Sequence, residues 1–208
     1  MTSTPIRKSA FKTIDLVYMA LSAALIAVCS WISIPSTVPF TLQTFAVFLV
    51  LALLGGKRGT LAVLVYLALG AIGLPVFSNF GAGLGFLLGN TGGYLVGFLV
   101  MGLVYWAMTR KKDPKWTVQV AAMLLGLLGC YTLGTAWFMV AYSRANGAVA
   151  LGTVLGWCVF PFILPDLIKM ALAILLARRL GRPLVDTDRE IVARTGMEIT
   201  DIFAAYGE

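Results

Sequence analysis

The sequence predicts an all-α membrane protein with six transmembrane helices and short loops, and three observations support this fold class. Of 208 residues, 60% are hydrophobic and only 12% are charged, whereas soluble domains average about 45–50% and about 25%. The apolar runs are separated by glycine, proline and charged residues and do not alternate as barrel strands do. Lipid offers the backbone no hydrogen-bond partner, so these runs must be helices.

Apolar runs bounded by turn residues and charges define the predicted spans. They cover residues 14–34, 40–54, 60–74, 92–108, 117–142 and 148–177. The second and third are short for a bilayer, so they need shielding by neighbours and some irregular backbone. The chain therefore divides into a cytoplasmic N-terminal segment (1–13), a membrane domain (14–182) and a cytoplasmic tail (183–208). The first run is about twice as long as a signal-peptide core, which favours a retained helix.

Basic residues are distributed unevenly between the two sides of this arrangement. Of the 16 lysines and arginines, 14 flank the spans on the side that carries both termini, and only Arg144 lies on the other. The remaining one, Lys169, falls inside a span. The positive-inside rule then places both termini in the cytoplasm. Because topology accounts for the net charge of +7, no nucleic-acid partner is expected.

Several kinds of chemistry are excluded by missing residues. The chain has no histidine, which removes Ser/His and Cys/His nucleophiles, and it lacks a GxxxxGK[ST] phosphate loop. Cys29, Cys130 and Cys158 stand singly in apolar runs and are expected to be small buried side chains. We therefore expect no catalytic residue, metal site or cofactor, and any ATP-driven work would require a partner.

Asp166 and Lys169 are unusual because they carry charge inside a span. They lie three residues apart, on one helix face, and roughly 18 and 13 Å from Arg178 at the cytoplasmic end. Each charge costs about 2.5–3.5 kcal/mol at such depth, so the pair must face protein, water or ligand. One interpretation is a ligand or ion site, with Pro161 and Pro165 breaking the helix beside it. The other is a self-neutralising pair that only fixes helix packing.

Two uncharged segments accompany this pair. Residues 73–94 are rich in glycine and contain Asn79, Asn90 and aromatic side chains, which suits close approach to a ligand but also suits a tightly packed outer loop. Residues 35–43 form a neutral outer connector that is either a lid or a plain turn. Together these features predict an outward-facing cavity for a small, largely uncharged, amide-rich molecule.

Five strings in this order resemble one family. They are VPFTLQT at 38–44, KRG at 57–59, GAIGLPVF at 70–77, TGGY at 91–94 and DLIK at 166–169. They resemble BioY, the biotin-specific substrate-binding component of energy-coupling factor transporters, over residues 14–182. Asn90 departs from the proline expected in this family, and the tail after Leu184 has no counterpart in it.

The resemblance implies biotin uptake without enzymatic chemistry, as a multi-pass protein of the cell membrane. It also implies partners, namely a transmembrane coupling protein and two cytoplasmic ATPases, with biotin as transported ligand. The substrate-binding residues it implies are Asp166, Lys169, Asn79, Tyr94, Gln43, Gly92 and Gly93. A component for another small vitamin and an autonomous proton-coupled transporter remain the alternatives.

Four alanines in the first span form a possible docking face. Ala20, Ala23, Ala24 and Ala27 are separated by offsets of 3, 4 and 7 and so share one face. Small residues allow close helix contact in lipid. The strip either packs within the chain's own bundle or binds the coupling protein, and the family's alanine motif on this helix favours docking.

Overall fold

The structure is a computed structural model that describes residues 13–34, 38–110 and 115–180. The predicted N-terminal segment, apart from Thr13, and the predicted tail lie outside the described residues. The helices are α1 Thr13–Trp31, α2 Gln43–Ala71, α3 Gly83–Leu87, α4 Gly92–Met108, α5 Trp116–Asn146, α6 Leu151–Cys158 and α7 Phe160–Leu180. A 3-10 helix, Ser78–Phe80, precedes α3. The chain divides into two units after Ala177, and the helical bundle belongs to the first.

The described residues are mostly helical, as the sequence predicts. Four stretches are long and apolar enough to cross a membrane, namely α1, α2, α5 and the combined α6–α7 stretch Leu151–Leu180. Helix α4, Gly92–Met108, is apolar but shorter. The chain is therefore a helical, multi-pass membrane protein.

Helix α2 is a hairpin of two arms, residues 43–54 and 56–71. Gly55 has φ 75° and ψ 172°. This backbone conformation is not helical, and its positive φ favours glycine. The side-chain amide of Gln43 donates to the Tyr66 hydroxyl at 2.9 Å, although a straight helix would separate these residues by about 34 Å. The two short apolar runs predicted here are thus joined by a turn at one glycine.

One ion pair ties the start of α1 to this turn. Arg58 Nη2 lies 3.0 Å from Asp15 Oδ1, and the Asp15 side chain is only 9% exposed. The contact places the beginning of α1 and the turn of α2 at the same end of the molecule. The distribution of basic residues along the sequence predicts that the start of α1 and the turn of α2 lie on the same side of the membrane.

The connector after α1 departs from a purely helical fold. Strand β1, Ser33–Ile34, pairs antiparallel with β2, Phe40–Thr41, with Ser33 opposite Thr41 and Ile34 opposite Phe40. The all-α prediction missed this short strand pairing. The turn residues and prolines of the segment gave no indication of strands.

The last predicted span, 148–177, consists of two helices that meet at Val159. Val159 has φ −125° and ψ −60°. A helix continuing through this point would need the N–H of residue 161 to bond the carbonyl of Trp157, and Pro161 has no N–H. Pro161 lies instead in the first turn of α7, where the missing donor costs little.

Close helix crossings hold these elements together. The core lies between α1, the arms of α2, α4 and α5, and its largest fully buried side chains include Phe48, Tyr66, Tyr105, Phe138, Met101 and Met123. A Cβ on Gly56 would lie 2.8 Å from that of Trp106, and one on Gly97 would lie 2.7 Å from the Cys130 sulfur. Dispersion contacts of this kind replace the hydrophobic effect as the source of helix association in lipid.

We expect Gly56→Ala to lower the free energy of unfolding by about 1–3 kcal/mol, because the added methyl group overpacks the crossing with α4. Gly156→Ala is the matched control, since nothing lies within 4 Å of its Cβ position and alanine is the better helix former. Thermal unfolding in detergent checks both variants. Equal unfolding temperatures for the two variants would contradict this expectation, because they would show that α2 and α4 shift to accommodate the methyl group without loss of stability.

Candidate functional site

A small cavity lies between the connector, the first arm of α2, α4, α5, α6 and α7. Its volume is about 70 Å³. Its polar wall is formed by Thr41, Gln43, Thr44, Ser78, Thr91, Tyr131, Asp166 and Lys169. Its apolar and aromatic wall includes Val38, Pro39, Phe86, Tyr94, Leu95, Phe98, Cys130, Cys158 and Phe162. This lining of aromatics, polar groups and one ion pair agrees with the composition that the sequence predicts.

The charged pair is buried in this cavity's wall. Asp166 and Lys169 are 2% and 7% exposed, and Lys169 Nζ lies 3.0 Å from Asp166 Oδ1. Helix α7 presents both on one face, as their spacing predicts. The two charges therefore neutralise each other and also line the cavity, an arrangement that agrees with either interpretation drawn from the sequence.

The ammonium group of Lys169 uses all of its donors within the chain. An ammonium has three N–H donors. They go to the Thr41 carbonyl at 2.7 Å, to Thr44 Oγ1 at 3.0 Å and to Asp166 Oδ1 at 3.0 Å. A ligand can therefore accept a hydrogen bond from Lys169 only by replacing one of these partners.

The carboxylate of Asp166 keeps one acceptor position. Oδ1 accepts from Thr44 Oγ1 at 2.9 Å and from Lys169, which fills its two lone-pair sites. Oδ2 accepts from the Tyr131 hydroxyl at 2.7 Å. The second lone pair of Oδ2 remains for a donor on a ligand. Three helices, α2, α5 and α7, thus fix the orientation of this carboxylate.

The connector covers the charged pair. The Phe40 ring lies 4.3 Å from Lys169 Nζ and stacks on Phe162, with 5.5 Å between ring centroids. The Thr41 carbonyl approaches Lys169 from the same strand, β2. These contacts place Phe40 and Thr41 over the charged pair, and the interpretation of residues 35–43 as a lid stays a prediction.

The loop after α2 is held against α1. Ser30 Oγ donates to the Val76 carbonyl at 2.6 Å, and Trp31 Nε1 donates to the Pro75 carbonyl at 2.9 Å. The Tyr66 hydroxyl, which accepts from Gln43, also donates to the Val76 carbonyl at 3.1 Å. A hydrogen-bonded chain therefore joins the end of α1 to Gln43 in the cavity wall.

The structure brings four of the seven sequence-predicted substrate residues into this wall, namely Asp166, Lys169, Tyr94 and Gln43. Asn79 lies elsewhere: it is exposed, and its Oδ1 accepts from Ser33 Oγ at 3.0 Å. Gly92 and Gly93 are buried at the start of α4, and a Cβ on Gly93 would lie 2.6 Å from Trp137 Cγ. Asn79, Gly92 and Gly93 therefore lie outside the cavity lining, and their roles in binding stay predictions.

Sequence reasoning missed three residues that hydrogen-bond to the charged pair, namely Thr41, Thr44 and Tyr131. Thr41 and Thr44 belong to the VPFTLQT string, so a signal was available. No sequence signal marked Tyr131, because a single tyrosine in an apolar run does not indicate a site. Its role is visible only when the fold places it beside Asp166. Cys130 and Cys158 are buried as expected, but they also line the cavity.

The alanine strip on α1 straddles two environments. Ala23 and Ala27 are 1% and 6% exposed and pack within the bundle, whereas Ala20 and Ala24 are exposed. The helical spacing is as predicted, but only Ala20 and Ala24 offer surface to a partner. The docking prediction rests on these two residues.

Removing one charge should cost more stability than removing both. We expect Lys169→Met to lower the free energy of unfolding by about 3–5 kcal/mol, because it leaves Asp166 as an uncompensated buried charge. The double variant Asp166→Asn/Lys169→Met should recover most of that loss, since no buried charge remains and the amide can accept from one of the Thr44 and Tyr131 hydroxyls while its NH2 donates to the other. Thermal unfolding without ligand checks this cycle. Additive losses would mean that the charges are not coupled.

Comparisons with known proteins agree on one family. The model of the BioY family matches residues 3–186. The biotin transporter BioY of Thermotoga maritima is 43% identical over 170 residues, covering 81% of this chain and 96% of that protein. Biotin transporter BioY2 of Lactococcus lactis is 38% identical, covering 86% and 96%.

A solved structure and a second family model also match. The crystal structure of the S-component for biotin from an ECF-type ABC transporter matches with a TM-score of 0.71 and 28% identity, covering 85% of this chain and 95% of that chain. A shikimate kinase family model matches only residues 168–208, a short segment mostly outside the described residues. The family model matches residues 3–186, and a biotin transporter BioY is 43% identical to this chain. The chain therefore belongs to the BioY family.

Proposed function

We propose that this chain is the membrane-embedded substrate-binding component of a biotin uptake system, which captures biotin from outside and delivers it with an ATP-driven coupling module. The observation that carries the proposal is the buried Asp166–Lys169 pair facing a cavity lined by aromatic and hydroxyl side chains. The similarity to biotin transporters and to the solved S-component for biotin supports the choice of this vitamin.

The ureido ring of biotin matches the acceptor and donors of the pair. It has two N–H donors and one carbonyl acceptor, so an N–H can bond the remaining lone pair of Asp166 Oδ2. The ureido carbonyl can accept from Lys169 by taking the place of the Thr41 carbonyl. Thr41 is the exchangeable partner because it lies on the short connector strand, whereas Thr44 and Asp166 lie on helices.

Biotin can reach the cavity only if the connector moves. The cavity of about 70 Å³ is well below the roughly 300–1,000 Å³ of typical ligand pockets. Displacing Phe40 and Thr41 removes the ring and the carbonyl that cover Lys169, and so both frees a donor and enlarges the space. Residues around β2 thereby act as the lid. Asn79, which bonds Ser33 of the paired strand, supports the lid from the neighbouring loop.

We infer six membrane crossings with both termini in the cytoplasm. Each arm of α2 crosses once, shielded by α1 and α4, and α6 with α7 forms the last crossing. The ion pair between Asp15 and Arg58 supports a common side for the start of α1 and the turn of α2. The location is the cell membrane.

Energy for transport comes from partners. The sequence has no GxxxxGK[ST] loop, including in the segment that matches shikimate kinase, so it offers no phosphate loop of that type for ATP hydrolysis. Two cytoplasmic ATPases and a transmembrane coupling protein supply the work, and no cofactor is required. The coupling protein docks on the exposed face of α1 at Ala20 and Ala24.

The proposal is tested by calorimetric titration of the purified protein with biotin and with other small vitamins. We expect Asp166→Asn to weaken biotin binding by about 1.5–3 kcal/mol, roughly 10- to 150-fold, because it removes a charged acceptor. Asp15→Asn is the matched control, since Asp15 is a buried carboxylate outside the cavity. Tighter binding of another vitamin would reassign the substrate. Uptake driven by a proton gradient without ATPases would indicate a secondary transporter.

Docking of the coupling protein on α1 is tested by substituting tryptophan for each of two adjacent alanines. Ala24→Trp should abolish assembly with the coupling protein, measured by co-purification, while biotin affinity stays within about threefold, or 0.7 kcal/mol. Ala23→Trp is the contrast, because Ala23 is buried and a large side chain there should impair folding and binding together. Retained assembly in the Ala24 variant would contradict the docking face.

A further inference from the structure

Gln43 lines the ligand cavity, and the pairing of its side chain leaves one atom open there. The side-chain amide donates through Nε2 to the Tyr66 hydroxyl at 2.9 Å. Among the described residues, no hydrogen bond reaches the amide oxygen, Oε1. The same residues contain no buried side-chain polar atom without a partner, so Oε1 is not sealed in the core. Because Gln43 is only 4% exposed, the space open to this atom is the cavity.

The Tyr66 hydroxyl decides which end of the Gln43 amide is turned towards it. Besides accepting from Gln43, this hydroxyl donates to the Val76 carbonyl at 3.1 Å. A hydroxyl has only one proton to donate. If the amide oxygen faced Tyr66, that proton would have to leave Val76 in order to pair the oxygen, and one hydrogen bond would be lost. The observed arrangement keeps both bonds, because the amide donates and the tyrosine proton stays on Val76.

Tyr66 is held apart from the cavity. Its side chain is fully buried, packs edge-on against Phe77 with 5.6 Å between ring centroids, and does not belong to the cavity lining. The Val76 carbonyl that receives its proton also accepts from Ser30 Oγ at 2.6 Å, so α1 fixes this carbonyl in place. Tyr66 therefore acts on a ligand only through Gln43.

Gln43 adjoins the place that the ureido carbonyl takes in the proposed binding mode. Its backbone N–H donates to Thr41 Oγ1 at 3.3 Å, and the Thr41 carbonyl is the partner of Lys169 that the ligand carbonyl replaces. Lys169 in turn bonds Asp166. The contacts thus run from an acceptor at Asp166, through a donor at Lys169, to a second acceptor at Gln43. A cyclic urea presents the complementary order of N–H, carbonyl and N–H.

We propose that Tyr66 is a positioning residue that fixes Gln43 as a second hydrogen-bond acceptor, so that the cavity selects a ligand with an N–H on each side of its carbonyl. This inference rests on the proposed function, because it takes the ureido ring of biotin as the ligand group. The resemblance implies that Gln43 binds substrate. The contact with Tyr66 adds which atom of Gln43 is offered, and why.

The test is calorimetric titration of the full chain with biotin and with two cyclic carbamates, in each of which an oxygen replaces one of the two ureido N–H groups. A ring oxygen cannot donate a hydrogen bond. We expect the wild-type chain to bind both carbamates at least about tenfold more weakly than biotin, because each sets an oxygen opposite Asp166 Oδ2 or Gln43 Oε1. A carbamate that binds as tightly as biotin would show that one N–H is not recognised, which would overturn the proposal.

Tyr66→Phe removes the hydroxyl but keeps the ring against Phe77. The Gln43 amide is then free to turn and to offer its NH2 group to a ring oxygen. We expect the selectivity for biotin over one carbamate to fall by about tenfold, while the selectivity over the other, whose oxygen faces Asp166, stays within about twofold. Equal weakening of all three ligands would overturn the proposal, because the hydroxyl would then have a purely structural role.

Two further variants complete the test. Tyr105→Phe is the matched control, since Tyr105 is buried outside the cavity lining, and it should leave both selectivities unchanged. Gln43→Met lacks the amide and should lower the same selectivity as Tyr66→Phe, even if the tyrosine variant fails to fold. Unchanged selectivity in the folded Gln43 variant would overturn the proposal. Failure of the wild-type chain to bind biotin at all would overturn the proposed function, and this inference with it.

Discussion

The ion pair between Asp166 and Lys169 is the constraint around which this bundle is arranged. A pair of charges deep in a membrane protein is stable only when its remaining donors and acceptors are satisfied. Here that requirement brings together a hydroxyl from α2, a hydroxyl from α5 and a carbonyl from the connector. Each charge of the pair is thereby compensated, and two regions far apart in sequence, residues 41–44 and Tyr131, are fixed relative to α7.

The irregular backbone separates the short elements that meet at this pair. Thr44 bonds Asp166 from the start of the first arm of α2, and this arm ends where the helix reverses at Gly55. The interruption at Val159 starts α7 afresh immediately before the turns that carry the pair. At membrane depth such a break is tolerated where the freed backbone groups are buried in protein, as at the buried Val159. The reversal at Gly55 lies next to Lys57 and Arg58, which are exposed.

Local sequence patterns predicted the parts of this arrangement that depend on composition and spacing. The helical fold, the two short runs in α2 and the shared face of Asp166 and Lys169 follow from hydropathy and from a period of 3.6 residues. The contact of Tyr131 with Asp166 does not, because it depends on how α5 packs against α7. The same limit applies to the alanines of α1: spacing places Ala23 and Ala24 on one strip, but only the neighbouring helices decide which of them is covered.

Because every donor of Lys169 is occupied, an acceptor on the proposed ligand can bond Lys169 only in exchange for a present partner, whereas a donor on it would add a hydrogen bond at Asp166 Oδ2. A ligand carbonyl that replaces the Thr41 carbonyl returns the ammonium to three partners, so the exchange alone contributes little affinity. A ligand that displaces the connector without offering an acceptor leaves a buried N–H unpaired, at a cost of about 1–3 kcal/mol. In the proposed binding mode, the pair therefore selects among ligands mainly by penalising those that lack the acceptor, while the aromatic and apolar walls supply most of the attraction.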